Sequence, residues 1–344
     1  MKRGVHPPLE PMEAATVEEL PLGFEWQYEP KWDGFRCIIF RNGNDVYLQS
    51  KSKPLARYFP EVVANVLKMK SQHFVLDGEL IIPIHNELSF DALLQRLHPA
   101  ESRVRKLSVE TPATFVMFDL LQDEQQNSLM DEPLFVRREA LETFAAKQGR
   151  VNGVLLSPGT TDATEAEGWF GSTGGGLDGI MAKLVAAPYT PGERIAMVKY
   201  KHLRSADCVV GGFRYGSGGG AASKIVASLL LGLYDSDGLL NHVGFTSAMS
   251  VEERTKLTPK LEKLVKAPGF TGKAPGGPSR WNSGRESEWQ PLKPSLVVEV
   301  QYDHFSGDRF RHGTGFLRWR PDKKPSACTL AQLKLARGSA LALV

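Results

Sequence analysis

Short apolar runs separated by turn signals dominate the chain, and this pattern predicts strands joined by a few helices. Residues 35–41 and 45–49 flank Asn42-Gly43, a pair that favours a β-hairpin. Further strands are predicted at 74–76 and 79–83, on either side of a turn at Asp77-Gly78, and at 113–121, 179–184 and 197–201. Helices are predicted at 60–70, 89–97 and 134–148, where apolar residues recur at helical spacing.

The pattern changes after Arg204, where short strands become predominant. They are predicted at 208–215, 225–234, 239–245, 296–302 and 315–319, with one helix at 251–266 that begins in a Ser250/Glu253 capping box. Five short strands and one helix suit a small barrel of the OB type. The sequence therefore predicts an α+β protein with a first domain of antiparallel sheets and helices at 1–203 and an OB-fold domain at 204–344.

The composition is that of a globular protein, with 42% hydrophobic and 24% charged residues in 344. No apolar run approaches the roughly 20 residues that a membrane span needs, and the first residues lack the apolar core of a secretory signal. The three cysteines have no metal-binding or disulfide spacing and are expected to be buried. We expect a cytoplasmic protein that binds no membrane and acts as a monomer.

The small net charge of +3 conceals an asymmetry between the two predicted domains. Residues 1–203 hold 22 basic and 27 acidic side chains, whereas residues 204–344 hold 20 and 12. A basic C-terminal part joined to an acidic N-terminal part indicates contact with a polyanion such as nucleic acid, although a solvated basic surface gives the same count.

The segment YEPKWDGFR, residues 28–36, contains the candidate nucleophile Lys31. A lysine with an ordinary pKa is neutral in only about one molecule in a thousand at pH 7.4, so it must be tuned by its surroundings. Trp32 and Phe35 could provide a partly dry environment, and Gly34 would let the backbone approach a ligand. Taken alone, the short KxDG pattern is better explained as a solvated surface charge.

Further charged and aromatic residues follow in order along the chain. They are Glu79 in LDGEL, Phe118 and Asp119 in FVMFDLL, Asp178 and Lys183 in LDGIMAK, and Lys199 and Lys201 in MVKYK, the last two on one strand face. Each alone has an ordinary structural explanation. Together, a lysine nucleophile, a flat aromatic, acids and paired lysines can hold a nucleotide and transfer its phosphoryl group. No GxxxxGK[ST] motif is present, and the glycine runs 174–176 and 218–220 are predicted to be turns.

At these residues the sequence resembles the ATP-dependent DNA ligases, within the superfamily of covalent nucleotidyltransferases. The resemblance extends from Glu29 through Asp322. It is greatest to the short bacterial ligase C type, through YEPKWDGFR, LARYFPE and RFRHGTGFLRWRPDK.

The resemblance implies a role for each matching residue. Lys31 would attack the α-phosphate of ATP and hold AMP, and Phe118 would stack on adenine. Glu29 would contact the adenine amino group, and Arg36 and Glu79 would contact the ribose. Lys199 and Lys201 would contact the α-phosphate, and Lys183 would be a further nucleotide contact. Glu79 and Asp178 would lie near a Mg²⁺ or Mn²⁺ ion, with Asp178 one methylene shorter than the usual glutamate.

The resemblance also implies DNA contacts. Residues 309–324 hold six basic residues against one acid, and their counterparts orient the pyrophosphate leaving group and then clasp DNA. Arg318, Arg320 and Lys323 are the residues expected to do so, with hinge motion near residue 204. Lys51 replaces the usual arginine, so it would keep a charge for a DNA phosphate without the bidentate fork. Glycines on both sides of Thr314 predict a loose HGTGF segment.

The leading hypothesis is an ATP-dependent DNA ligase that seals nicks in double-stranded DNA through a lysyl-AMP intermediate and serves DNA repair, with repair proteins as further partners. An RNA ligase or a GTP-using capping enzyme would keep the chemistry and change the substrate. A nucleic-acid-binding module without catalysis is the third hypothesis, and the full set of pocket residues argues against it.

Overall fold

The protein is represented by a computed structural model, which describes residues 4–51, 53–85, 87–173, 177–201, 203–216, 225–276, 288–311, 313–333 and 339–344. The predicted glycine turns at 174–176 and 218–220, and His312 of the HGTGF segment, lie outside these residues. The chain divides into two compact units, one of Met1–His202 with Leu335–Val344 and one of Leu203–Lys334.

The first unit combines two main β-sheets and a small two-stranded sheet with helices. Its strands are β1 (Ala15–Val17), β2 (Trp26–Pro30), β3 (Phe35–Asn42), β4 (Asp45–Gln49), β5 (His73–Ile81), β6 (Pro83–Ile84), β7 (Glu87–Leu88), β8 (Thr114–Gln122), β9 (Val154–Leu156), β10 (Gly179–Leu184) and β11 (Met197–Lys201). Its helices are α1 (Pro60–Leu67), α2 (Phe90–Arg96), α3 (Glu101–Glu110), α4 (Leu134–Gln148) and α5 (Ala163–Ser172), with short 3₁₀ turns at Ala56–Tyr58 and Ala340–Leu343.

The two main sheets of this unit supply the strands that carry the predicted site. One has the order β1-β11-β10-β2, and the other has the order β4-β3-β5-β8-β9. Pairing is antiparallel except between β1 and β11 and between β8 and β9. In the first sheet Met181 pairs with both Glu29 and Lys199, and in the second Arg36 pairs with Glu79. The registers therefore bring residues far apart in sequence side by side.

The predicted turn at Asp77-Gly78 is wrong, because β5 runs through it without interruption. The glycine serves close packing instead: a Cβ atom on Gly78 would lie 2.4 Å from the ring of Phe115. The register between β5 and β8 shifts between Asp77 and Gly78. The Asp77 side chain is fully buried. An Asp-Gly pair occurs both in turns and in strands where a neighbour packs closely, and the sequence alone does not distinguish the two.

Several elements of the first unit were not predicted. Helix α3 buries only Val104, so its apolar stripe is too narrow to give a clear helical period. Helix α5 contains two glycines, and Asp162 caps its start by accepting a hydrogen bond from the Thr164 N–H at 2.8 Å. The short strands β1, β2 and β9 also lacked a sequence signal.

The second unit is an antiparallel barrel. It contains β12 (Arg204–Tyr215), β13 (Val226–Tyr234), β14 (Leu240–Thr246), α6 (Val251–Glu262), β15 (Gln290–Pro291), β16 (Val297–Tyr302), β17 (Phe305–Ser306), β18 (Arg309–Phe310) and β19 (Gly315–Trp319), with 3₁₀ turns at Pro325–Ala327 and Leu330–Leu333. The sheet order is β14-β13-β12-β16-β19, and a parallel bridge between Thr246 and Thr314 joins its two edges. This is the closure of an OB fold, so the predicted α+β fold class is confirmed.

Local expectations for this unit also hold in large part. The Ser250/Glu253 capping box opens α6, as predicted, although the helix ends at Glu262 rather than at residue 266. All three cysteines of the chain are buried, also as predicted. In the part of the chain that the structure describes, no helix is long and apolar enough to cross a membrane.

Helix α4 is held to the second sheet of the first unit by a buried ion pair. Arg137 donates to both carboxylate oxygens of Asp119, from Nε at 2.8 Å and from Nη2 at 3.0 Å. It also donates to the Glu132 carbonyl at 2.7 Å. Both side chains are almost fully buried, so loss of one partner would leave the other charge without compensation.

We expect Asp119→Ala to lower the free energy of unfolding by about 3–5 kcal/mol, the usual cost of removing one partner of a buried ion pair. Glu101→Gln is the control, because Glu101 pairs with Arg105 on an exposed face of α3, and its loss should cost less than about 0.5 kcal/mol. Urea unfolding followed by circular dichroism measures both. Equal losses of stability in the two variants would show that the buried ion pair between Asp119 and Arg137 does not stabilise the fold.

Candidate active site

A cavity of about 370 Å³ in the first unit collects most of the residues singled out in the sequence. It is lined by Lys31, Glu29, Arg36, Lys51, Glu79, Phe118, Lys183 and Lys199, together with Pro11, Met12, Glu13, Ala14, Pro30, Trp32, Met181, Arg194 and Met197. Of the first-unit candidates, Asp178 and Lys201 lie outside this lining set. Asp178 nevertheless contacts Lys31 directly, and Lys201, at the end of β11, pairs with Gly179 at the start of β10.

Lys31 lies just after β2 and faces the start of β10. Its backbone N–H donates to the Gly179 carbonyl at 2.9 Å, and this bond places the Lys31 Nζ against the carboxylate of Asp178. The turn that follows needs a glycine, because a Cβ on Gly34 would lie 2.2 Å from the Leu80 carbonyl oxygen. The KxDG pattern is thus partly a packing requirement and partly a means of aiming the lysine.

The pKa of Lys31 is raised, contrary to what a lysine nucleophile needs. Burial lowers this pKa, but the charges of Asp178, Glu79 and Asp33 together outweigh it, with the Asp178 ion pair contributing most. In this state the Lys31 amine is therefore held as an ammonium. Neutralising Asp178 is the most direct way to release the amine.

Glu29 and Lys183 form a buried ion pair at the inner end of the cavity. Lys183 Nζ lies 2.7 Å from Glu29 Oε2, and Gln27 donates its amide to Oε1 at 2.8 Å. The Lys183 ammonium also lies 4.5 Å from the centre of the Phe118 ring. These contacts fix the carboxylate and the aromatic ring beside each other.

Arg36 is held against the same ring by a buried carboxylate. Its guanidinium donates to both oxygens of Asp77 at 2.6 Å and lies 4.5 Å from the centre of the Phe118 ring. Tyr189 donates its hydroxyl to Asp77 at 2.6 Å and accepts the Met12 N–H at 3.0 Å. Asp77 and Tyr189 were not identified from the sequence as site residues, because they share no motif and are 112 residues apart.

Glu79 carries the carboxylate whose pKa differs most from an ordinary acid in this cavity. Burial raises the pKa of Glu79 to about 8, although the nearby charges of Arg36 and Lys31 lower it. The carboxyl group is therefore largely protonated near neutral pH until a cation approaches it.

Lys199 lies on β11 and faces the cavity, one strand away from Met181 on β10. Burial lowers its pKa, as do the positive charges of Lys201, Lys31 and Arg194. Several cations thus converge on one side of the cavity, and an anion placed among them would relieve their repulsion.

The mouth of the cavity carries a cluster that the sequence analysis only partly found. Glu13 pairs with Lys51 through one carboxylate oxygen, and its other oxygen accepts from Arg194 Nε at 2.8 Å. The two cations lower the pKa of Glu13 to about 2. Glu13 and Arg194 were missed because they belong to turn-rich segments without a periodic pattern.

The candidate DNA contacts of the second unit lie among acidic side chains. Arg320 donates to Asp207 and to Asp322, each at 2.8 Å, and Lys323 lies 3.1 Å from Asp207. Arg318 donates to Glu299 at 2.6 Å, but its side chain is 66% exposed, compared with 18% for Arg320. Arg318 is therefore the more accessible cation.

The carboxylates near Lys31 match the ligand preference of a divalent cation. Asp178 and Glu79 both carry hard oxygen donors near the candidate nucleophile. The described residues contain no group of three or more His, Cys, Asp or Glu side chains that could hold a metal alone. One or two carboxylates completed by substrate phosphates is the usual protein site for Mg²⁺, so these residues fit that ion.

Comparison with known proteins identifies the family. A model of the ATP-dependent DNA ligase domain matches residues 11–201, and a model of the ATP-dependent DNA ligase C-terminal region matches residues 222–323. DNA ligase C2 of Mycolicibacterium smegmatis is 45% identical, over 96% of this chain and 95% of that protein. The multifunctional non-homologous end joining DNA repair protein LigD of Mycobacterium tuberculosis is 30% identical, over 88% of this chain and 37% of its own length.

A solved structure from a structure-function study of Lig E DNA ligases shares the fold, with a TM-score of 0.53 at 17% identity over 90% of this chain and 99% of that one. The chain therefore belongs to the ATP-dependent DNA ligases, which confirms the resemblance seen in the sequence. Within that family it is of the bacterial ligase C type, and ATP is its substrate.

We expect Asp178→Asn to lower the pKa of Lys31, because the largest charge that favours the ammonium is removed. The rate at which acetic anhydride modifies Lys31 should then begin to rise at a lower pH than in the wild type, as measured by peptide mass spectrometry. Asp33→Asn should lower the pKa of Lys31 by a smaller amount, because Asp33 raises that pKa less than Asp178 and Glu79 do. An unchanged profile in Asp178→Asn would show that the ion pair does not control the amine.

A second prediction concerns Glu79 and stability. Its folded-state pKa of about 8 lies above the value of 4.5 expected in the unfolded chain, so between these values the folded state binds the extra proton. The free energy of unfolding should fall as pH rises through this window, by at most about 1.4 kcal/mol per pH unit from this group. Glu79→Gln should remove that contribution, and urea unfolding at pH 5, 6.5 and 8 measures the difference.

Proposed function

We propose that this ligase seals DNA nicks with Lys31 as the nucleophile that carries AMP. The observation that supports it most is the position of Lys31 in a single cavity with Glu79, Phe118 and Lys199. These residues combine an amine, a carboxylate, an aromatic platform and a phosphate-binding cation. All of them come from separate strands or turns of the first unit.

In the first step, the Lys31 amine forms a bond to the α-phosphorus of ATP, and the bond to pyrophosphate breaks. Adenine would stack on Phe118, with Glu29 accepting a hydrogen bond from its amino group. Lys183 supports this arrangement by holding the Glu29 carboxylate in place at 2.7 Å. Arg36 and Glu79 would contact the ribose.

Lys31 must lose a proton to solvent, to which its side chain is partly exposed, before it attacks. Burial lowers the pKa of Lys31, and Asp178 makes the largest contribution that raises it. The amine therefore stays protonated as long as Asp178 pairs with it. If Asp178 and Glu79 held a cation, their carboxylates would no longer stabilise the ammonium and the pKa of Lys31 would fall. The amine would then become reactive only when nucleotide and cation are both bound.

Asp178 and Glu79 would hold the divalent cation, Mg²⁺ or Mn²⁺. When bound, it neutralises charge on the phosphates and organises them for in-line displacement. Lys199 and Lys201 would add positive charge at the α-phosphate, where negative charge builds up in the transition state. The pKa of Lys199 is lowered chiefly by burial and further by the neighbouring cations, whose repulsion such an anion would relieve.

In the second step, an oxygen of the DNA 5′-phosphate forms a bond to the AMP phosphorus and the bond to Lys31 breaks. In the third step, the 3′-hydroxyl attacks the DNA phosphorus, AMP leaves and the strand is sealed. We assign Lys51 to the DNA phosphate, and Arg318, Arg320 and Lys323 to pyrophosphate and then DNA. The exposure of Lys51 and Arg318 supports these contacts.

The proposal assigns nucleotide transfer to the first unit, predicted from the sequence as residues 1–203. It assigns DNA engagement to the second unit, the OB domain predicted to begin at residue 204, with a hinge near that residue. The chain would act as a monomer, because one chain supplies every residue of the cavity. A role in DNA repair, with repair proteins as partners, is supported by the similarity to LigD. DNA as substrate supports a cytoplasmic location.

The alternatives of an RNA ligase and a capping enzyme receive no support from the relatives named above, one of which is named a DNA ligase and the other a DNA repair protein. The non-catalytic alternative is also disfavoured, because an inactive chain would have no need of the ion pairs that aim Glu29 and Arg36 into the cavity.

The test is self-adenylylation of the full chain with α-labelled ATP and magnesium. The wild type should become covalently labelled, and Lys31→Ala should not, because the attacking nitrogen is gone. Lys31→Arg is the matched control, since it keeps a positive charge that cannot be deprotonated. An unlabelled wild type, or a labelled Lys31→Ala, would falsify the assignment.

The same preparation distinguishes the substrates. Nicked DNA with ATP should be sealed, and chelation of divalent cations with EDTA should stop the label from forming. Faster sealing of an RNA nick, or labelling by GTP in preference to ATP, would favour the alternatives.

A further inference from the structure

The carboxylate of Glu13 occupies the mouth of the cavity in a way that resembles a bound phosphate. One oxygen contacts the Lys51 ammonium, and the other lies 2.8 Å from Arg194 Nε and 2.6 Å from Nη2 of the same guanidinium. An ammonium and a guanidinium fork are also the groups that bind phosphate in proteins. The arrangement therefore already has the charge and the donors of a phosphate site.

The backbone around Glu13 is fixed, whereas its partners are exposed. The Glu13 N–H donates to the Glu193 carbonyl at 2.9 Å, and the preceding Met12 N–H donates to Tyr189 at 3.0 Å. The side chains of Lys51 and Arg194 are 72% and 65% exposed. The Glu13 side chain can thus leave the two cations without any change in the backbone.

Ion pairs this exposed are weak, because water and salt screen them. A phosphomonoester carries a charge of about −1.5 to −2 at pH 7, compared with −1 for the carboxylate. It also has three oxygens to share between the ammonium and the guanidinium. A phosphomonoester can therefore displace Glu13, whereas an uncharged hydroxyl cannot.

We propose that Glu13 is a specificity-determining residue, which occupies the position of the DNA 5′-phosphate between Lys51 and Arg194 and yields to that phosphate alone. This inference rests on the proposed function, in which Lys51 contacts DNA. A nick that ends in a 5′-hydroxyl leaves Glu13 in place, and the two cations then stay neutralised. Glu13 thereby suppresses binding to ends that cannot be joined.

The test measures the binding of adenylylated full-length protein to nicked duplexes that differ only in a 5′-phosphate or a 5′-hydroxyl. Fluorescence anisotropy in EDTA follows binding without transfer of AMP. The wild type should prefer the phosphorylated nick. Glu13→Gln leaves Lys51 and Arg194 free to meet another backbone phosphate beside a hydroxyl nick. It should therefore bind that nick about three- to tenfold tighter, the scale of one further phosphate contact, and the preference should shrink accordingly.

Salt dependence gives a second measurement. For the hydroxyl nick, the slope of log affinity against log salt concentration should steepen by about 0.9 in Glu13→Gln, because Lys51 and Arg194, no longer neutralised by Glu13, can pair with a neighbouring phosphate of the DNA backbone. Glu13→Asp should retain most of the wild-type preference, since it keeps the charge. Glu193→Gln is the matched control: it removes one acid from the same loop as Arg194, and no ion pair is formed by Glu193 within the described residues. It should leave the preference unchanged.

Three results would overturn the inference. Unchanged affinities in Glu13→Gln would show that the carboxylate does not compete with the DNA. Weaker binding of the phosphorylated nick would show that Glu13 orients the cations instead. A lower KM for ATP in self-adenylylation, with nick binding unaltered, would assign the two cations to the triphosphate.

The proposed function is checked separately on the same protein by labelling with α-labelled ATP. A labelled wild type without any effect of Glu13 on nick binding overturns only the present inference. An unlabelled wild type overturns the proposed function.

Discussion

The ion pair between Lys31 and Asp178 is the constraint on which the site depends. A lysine that attacks phosphorus must be neutral, yet the acids around Lys31 raise its pKa even though burial lowers it. The same acids are the groups that suit a divalent cation. In the proposed mechanism, the same carboxylates would therefore have two roles: without ligands they keep the amine as an ammonium, and on binding a cation they would release it as the nucleophile.

The remainder of the first unit keeps this arrangement in position through buried polar contacts. Asp77, which is fully buried, fixes Arg36 by two hydrogen bonds and is itself held by Tyr189. Arg137 lies 5.8 Å from the Tyr189 ring and also holds Asp119, next to Phe118. The ring expected to receive the base is therefore supported from two directions, so little reorganisation would be needed when the nucleotide binds.

The sequence was informative where chemistry imposes an ordered set of residue types. Lys31, Glu79, Phe118 and Lys199 could be found because their motifs occur in one order, and the structure places them around one cavity. Contacts between segments without a motif could not be found in this way. Glu13 and Arg194 are 181 residues apart, and neither belongs to a periodic pattern.

The errors in the predicted secondary structure also occurred where the sequence pattern was ambiguous or weak. The Asp-Gly pair in β5 was taken for a turn because glycine permits one, whereas here it permits the close approach of Phe115. The barrel was easier to predict, because five short apolar strands separated by turns and a capped helix leave a recognisable pattern. Helix α3, with one buried residue, leaves almost none.

The burial of the three cysteines has a consequence for the conditions under which the enzyme works. Burial raises the pKa of Cys37, Cys208 and Cys328, so their reactive thiolate forms are scarce. Oxidants react mainly with exposed thiolates. The proposed nucleophile is an amine, which does not undergo the stepwise oxidation of a cysteine thiol. The joining chemistry of this ligase should therefore not depend on the redox state of a cysteine.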